Sequence, residues 1–108
     1  MSNYVIIWEF EVHPDQTKKF IRYYGPDGDW AELFRRSSGY IGTLLLNDET
    51  NPDRFLTLDR WTSREPHDAF RSQFAADYDA LDRICEAFIH HEVDLGTFLQ
   101  FASSEPAP

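Results

Sequence analysis

Residues 38–74, SGYIGTLLLNDETNPDRFLTLDRWTSREPHDAFRSQF, decide the fold. Two apolar runs, 40–46 and 54–61, flank a polar connector that holds Asn47, Asp48, Asn51, Pro52 and Asp53. Short β-rich runs around such a connector predict a β-hairpin with a long loop. Thr62 and Ser63 then signal a helix start, with Ser63 as N-cap and Pro66 in the first turn, where a missing N–H costs nothing. Strand two is apolar on both parities, with Ile41 and Leu45 on one and Leu44 and Leu46 on the other. Strand three puts Leu56 and Leu58 on one parity and Phe55, Thr57 and Trp61 on the other. A sheet with one wet face alternates cleanly. These strands do not, so both faces are expected to be covered, and the parity facing the helices stays open.

Upstream, residues 4–12 (YVIIWEFEV) read as the first strand. Tyr4, Ile6, Trp8, Phe10 and Val12 form the wholly apolar, core-facing parity, and Val5, Ile7, Glu9 and Glu11 form the other. His13-Pro14-Asp15 breaks it and opens a helix with Asp15 as N-cap. Gly25-Pro26-Asp27-Gly28 interrupts that helix and is expected to be a mobile elbow gating the pocket. Asp29 with Glu32 restarts it in a capping-box pattern, and Gly39 stands where a left-handed C-terminal residue is wanted. Downstream, Phe70, Phe74, Tyr78, Leu81, Cys85 and Phe88 recur at three- and four-residue spacing, which predicts one long amphipathic helix. A last strand is expected at about residues 95–101, followed by a disordered tail, 103–108. The order β-α-β-β-α-β is the ferredoxin-like split βαβ, an α+β fold with a four-stranded antiparallel sheet, expected as a single domain over residues 1–102. Both helical regions would cover one sheet face. The other, which carries Val5 and Ile7, is expected to pair with a second copy in a homodimer.

Composition narrows the function classes. The chain has 108 residues, 16% of them aromatic, and a formal net charge of −9. Such an acidic surface repels phosphate backbones, so nucleic acid is not an expected partner. No basic run suits a membrane surface, and no apolar run approaches the roughly 20 residues of a span. The start shows no leader pattern, and the expected location is the cytoplasm. Cys85, the one cysteine, lies on the apolar stripe and reads as a buried inert thiol.

The segments Gly39-Tyr-Ile-Gly-Thr-Leu-Leu-Leu-Asn-Asp48 and Phe55-Leu-Thr-Leu-Asp-Arg-Trp61-Thr-Ser63 carry a family resemblance. Over residues 4–101 the chain resembles the dimeric α+β barrel superfamily and, within it, the antibiotic biosynthesis monooxygenase-like domains. The resemblance implies two sheets packed face to face across a dimer, and a pocket between helices and sheet in each subunit. It also implies chemistry without metal or flavin, since such relatives include oxygenases of aromatic polyketides or quinols. Others degrade haem. Many members carry a histidine nine residues after the strand-three Trp, where this chain has Phe70. Haem-degrading members place a Trp there and a His ten residues on, where this chain has Phe70 and Ala80, so that branch does not fit.

Candidate site residues follow. His67, on the helix face one turn before Phe70, is the candidate base. A neutral imidazole facing an apolar cavity could accept a proton from a phenol or quinol, and the helix N-terminus disfavours the charged ring. Read structurally, it is a boundary histidine. Trp8, Phe10, Tyr24, Trp30, Trp61, Phe70, Phe74 and Tyr78 are the candidate lining of an aromatic-substrate pocket, or simply core. His90-His91-Glu92 lacks the spacing of a metal site and suits a helix C-terminus. Glu9, Glu11 and Asp59 could be acid–base groups, but ion pairs with Arg54 and Arg60 on neighbouring strands are the favoured reading, with the face left open by the parities. Two functions remain: a cofactor-independent monooxygenase acting on a hydrophobic aromatic or quinol-type small molecule, and a non-catalytic dimeric module that binds such a ligand.

Overall fold

The computed structural model describes residues 2–102; the tail at 103–108 lies outside the described residues. Four strands, β1 (Asn3–Val12), β2 (Tyr40–Asn47), β3 (Arg54–Trp61) and β4 (Ile89–Gln100), form one antiparallel sheet in the order β2-β3-β1-β4. This is the ferredoxin-like order. The hairpin β2–β3 pairs Thr43 with Asp59 and Leu45 with Thr57, and β1 pairs Trp8 with Thr57 and Ile6 with Asp59. Cross-strand partners share a face. One face therefore carries Tyr4, Ile6, Trp8 and Phe10 beside Phe55, Thr57, Asp59 and Trp61. That assigns the odd-numbered residues of β3 to the helices. The opposite face carries Val5, Ile7, Leu56, Leu58, Leu44 and Leu46.

On the first face lie α1 (Thr17–Tyr24), α2 (Asp29–Phe34), α3 (Arg64–Gln73) and α4 (Ala75–Cys85). The core between them and the sheet is mostly aromatic: Trp61, Phe20 and Phe70 are almost wholly buried, with Tyr24, Trp30, Phe34 and Phe55 around them. Burying each such ring contributes roughly 1.5–3 kcal/mol, and edge-to-face pairs such as Phe34–Trp61, with centroids 5.6 Å apart, fix the packing.

Several local expectations are corrected. Asp15 does not cap α1, because Pro14–Gln16 forms a separate 3₁₀ turn and Thr17 Oγ1 donates to the Pro14 carbonyl instead. Asp29 is the first residue of α2 and Gly28 its cap; Glu32 makes no capping box, because Arg35 takes its carboxylate at 2.6 Å. Gly39 is not left-handed. Only Gly96 has a positive φ among the described residues. Gly39 is glycine because a Cβ there would lie 2.4 Å from Pro66 Cβ, so β2 enters directly against the first turn of α3. Ser63 occupies the N-cap of α3 but makes no side-chain capping bond. The second helical region is not continuous, since Phe74, at φ −112° and ψ 28°, divides α3 from α4. The apolar stripe survives the break. Finally, β4 begins at Ile89, so His90 and His91 are strand residues rather than a helix terminus.

The elbow at residues 25–28 joins α1 to α2. Arg35 donates to the Pro26 carbonyl at 2.8 Å and to Asp27 at 3.2 Å, and Gly28 lies so close to α1 that a Cβ would be 2.4 Å from the Arg22 carbonyl oxygen.

Candidate functional site

Between the helix-facing side of the sheet and α2, α3 and α4 lie two adjoining cavities of about 250 and 240 Å³. They share Trp8, Phe34, Asp59, Arg71 and Tyr78 as common wall. The first is closed by Phe10, Tyr24, Trp30, Thr43 and Thr57, and the second by Tyr4, Ile6, Trp61 and His67. Glu92, Asp94 and Thr97 of β4 also line them, yet all three are exposed. The helices thus cover β1 to β3 more fully than β4, and the mouth lies along β4.

Asp59 is the chemically unusual group. Its position on β3 follows from parity: it shares the face of Phe55, Thr57 and Trp61, so the strand delivers a carboxylate into an aromatic cavity. Thr43, directly opposite on β2, donates a hydrogen bond to its Oδ1 at 2.7 Å. Burial raises its pKa from the usual carboxylate range to about 6, against the lowering effect of the Thr43 bond. The expected ion pair of Asp59 with an arginine is absent from the described residues. Arg54 instead reaches Glu9 at 2.5 Å and Asp48 at 3.1 Å on the opposite face, and Arg60 donates to Gln100. The signal that Asp59 belongs to the cavity was present in strand-three parity, but which parity faced the helices depended on β1 pairing.

His67 stands in the wall of the second cavity, packed on Trp61 at 5.1 Å and Tyr4 at 5.8 Å between ring centroids. Its Nδ1 is 3.1 Å from Asp68 Oδ1. An ionised carboxylate only accepts, so in the neutral ring Nδ1 carries the proton and Nε2 keeps the lone pair. Arg71 stacks over Tyr78, with its guanidinium 3.6 Å from the ring centroid. Burial raises the Tyr24 and Tyr78 hydroxyls and the Cys85 thiol, so all three stay protonated at neutral pH. The indole N–H groups of Trp30 and Trp61 are buried with no acceptor among the described residues.

Of the aromatic residues singled out in the sequence, Trp8, Phe10, Tyr24, Trp30, Trp61 and Tyr78 line the cavities. Phe70 and Phe74 do not. Phe70 is buried behind Trp61 and Phe34, and Phe74 packs on Phe70. The sequence does not signal Thr43 or Arg71 as lining residues, and it offers Asp59 as an acid–base group but favours an ion pair for it. Among the described residues no group of three or more His, Cys, Asp or Glu could hold a metal ion, and no helix is long and apolar enough to cross a membrane.

An antiparallel sheet with helices on one side and an aromatic cavity between them defines a class of small α+β proteins. Within it, the chain belongs to the antibiotic biosynthesis monooxygenase family, whose model matches residues 3–76. Its fold is similar to that of a putative antibiotic biosynthesis monooxygenase from Bordetella bronchiseptica, with TM-score 0.71 and 17% identity over 95% of this chain and 99% of that one. It is also similar to NE2512, a protein of unknown function from Nitrosomonas europaea, with TM-score 0.70 and 18% identity over 100% and 98%. A third similar structure is SnoaB, a cofactor-independent oxygenase from Streptomyces nogalater, with TM-score 0.63 and 20% identity over 100% and 99%. At these identities the likeness is one of fold. No curated protein matches the chain.

Proposed function

We propose that the protein is a cofactor-independent monooxygenase acting on an uncharged, hydrophobic, quinol-type aromatic molecule held in the joined cavities. The observation that carries this reading is Asp59: a carboxylate inside an aromatic cavity, with a pKa of about 6. Such a group is ionised at neutral pH, yet basic enough to take a proton from an acidic C–H or phenolic O–H. Family membership supports the same reading.

Proton loss to Asp59 leaves an electron-rich carbanion. It passes an electron to dioxygen, and the two radicals join in a C–O bond. The peroxide anion that results takes a proton from water at the mouth along β4. For a methylene between two aromatic rings, the hydroperoxide then loses its remaining C–H proton and expels hydroxide, which takes that proton up, so CH2 plus O2 becomes C=O plus H2O. That elimination removes a second proton from carbon, and Nε2 of His67, oriented through Asp68, is the second acceptor. The aromatic walls exclude water from the anion. Asp59, Asp82 and Glu92 against Arg71 make the first cavity unfavourable for an acidic substrate.

The reading extends to a homodimer through the open sheet face. There Leu44, Leu46 and Phe98 are exposed and Ile7, Leu56 and Leu58 half-buried in the single chain. The face is apolar enough for an interface that, if obligate, buries on the order of 2,000 Å² or more.

Dioxygen uptake with hydroquinone and with anthrone tests the activity. The expected result is uptake that rises with pH through about 6 as Asp59 ionises. It should fall in both Asp59→Asn and His67→Ala. Probes that bind, read by tryptophan quenching, without any dioxygen uptake would instead mark a non-catalytic binding module.

A further inference from the structure

β2 is bulged. Its pairing with β3 shifts between Tyr40 and Gly42, where Tyr40 pairs with Trp61 but Gly42 already pairs with Arg60. In a regular strand, residues three apart point to opposite faces. The extra residue, Ile41, cancels that alternation and brings Tyr40 to the same face as Thr43. The consequence is a hydrogen-bonded chain. Tyr40 Oη lies 2.5 Å from Thr43 Oγ1, and Thr43 Oγ1 lies 2.7 Å from Asp59 Oδ1. A threonine hydroxyl has a single proton. With Asp59 ionised, Thr43 commits that proton to the carboxylate, so Tyr40 is the donor to Thr43. The donors are ordered from the surface inward. Thr43 is buried, whereas Tyr40, between Phe34 and Trp61, keeps part of its surface exposed.

We propose that Thr43 and Tyr40 form a proton relay that returns Asp59 to its ionised state after it has taken a proton from the substrate, an inference that rests on the monooxygenase reading. Once Asp59 carries the proton, both bonds reverse. Asp59 donates to Thr43 Oγ1, Thr43 passes its own proton to Tyr40 Oη, and Tyr40 releases its proton to water. One proton leaves, and no residue is changed. The need for such a route follows from the site. When substrate fills the cavity, water is excluded from the face of Asp59 that does the chemistry, so the proton must leave through the protein side. Bulges are common next to active sites because they re-aim side chains, and this one re-aims the terminal member of the chain.

Other groups also face Asp59. Arg71 and His67 on α3, Tyr78 and Asp82 on α4, and Glu92 and Asp94 on β4 line the same cavities. The test therefore reads the Asp59 carboxyl itself, by its carbon NMR shift during titration, in the full-length wild type, Thr43→Val and Tyr40→Phe. Thr43→Val removes a bond that favours the carboxylate, so the midpoint is expected to move upward. Tyr40→Phe moves it less in the same direction. An unchanged midpoint in Thr43→Val overturns the chain, whatever the activity.

The relay is then read with anthrone as probe. Tyr40→Phe is expected to lower kcat by on the order of tenfold, with KM nearly unchanged, and added imidazole to restore it by carrying the proton instead. A loss in Tyr40→Phe that imidazole does not relieve, or no loss at all, overturns the relay and leaves the monooxygenase reading standing. Wild-type protein that consumes no dioxygen with anthrone or hydroquinone overturns that reading, and the relay with it.

Discussion

The two faces of the sheet are built from the same four strands and differ in almost every other respect. The helix-covered face is aromatic: Tyr4, Trp8, Phe10, Phe55 and Trp61 point there and enclose Asp59. The open face is largely aliphatic and holds Arg54 between Glu9 and Asp48. Two carboxylates of one hairpin show what this does. Asp48, at the loop, accepts the Thr50 N–H at 2.8 Å together with bonds from the Thr50 hydroxyl, Arg54 and Asn51, which hold its pKa at about 2. Asp59 has one hydroxyl donor and burial, and sits at about 6. Donors and solvent hold one carboxyl low; their scarcity raises the other.

The comparison breaks most visibly at Asp59. Asp59→Asn is expected to lower dioxygen uptake by roughly 10²–10⁴-fold, the usual range for a lost general base, while the protein stays folded. Its stability should respond in the opposite sense. The folded pKa of Asp59 is raised above the unfolded value, so folding binds a proton between the two. Wild-type stability from this group is full below the ordinary carboxylate value of 3.8 and is lost as pH rises through about 6. Urea midpoints measured from pH 4 to 7 should show that decline in the wild type and not in Asp59→Asn. Parallel curves would show that Asp59 is solvated after all.

On the other face the expected effect is on assembly. A charge at Leu58, in Leu58→Asp, would be buried by a second sheet without a partner, at a cost of about 3–5 kcal/mol. Sedimentation should show a dimer for the wild type and a monomer for the variant; a wild-type monomer at micromolar concentration would refute the pairing. A smaller effect separates two glycines of the β2 entry. Gly39→Ala meets Pro66 and is expected to cost roughly 1–3 kcal/mol. Gly42→Ala meets nothing within 4 Å, and its urea midpoint should barely move. Smallest of all, Arg54→Met should leave the urea midpoint almost unmoved, because exposed ion pairs contribute little.

The architecture was legible because periodicity is a strong signal. Tyr4 to Val12 alternate, β3 has the expected bounds, and the order of elements permits few topologies. The site was less so. The aromatic residues that line it obey the same spacing as those that merely fill the core, which is why Phe70 and Phe74 resembled Trp8 and Tyr78. Asp59 was hidden for a different reason. An acid between Arg54 and Arg60 suggests an ion pair, although alternation already puts both arginines on the other parity; only the pairing with β1 shows which parity faces the helices. Helix ends were the least readable. Phe74 breaks a helix without Gly or Pro, and Gly39 answers to Pro66, 27 residues later, rather than to its own backbone angle.

The bulge at Ile41 also bears on how such a chain can change over generations. Most strands tolerate the loss of two residues better than the loss of one, because two restore the phase of the pleat. Ile41 is an exception, because it is the extra residue. A single-codon deletion there would remove the bulge, leave Tyr40 two positions from Thr43 and still opposite Trp61, and keep the ladder from Thr43 onward in register. A small deletion could thus straighten the start of the strand while sparing both the fold and the contact between Tyr40 and Thr43, so that descendants can shed the irregularity without losing the pocket.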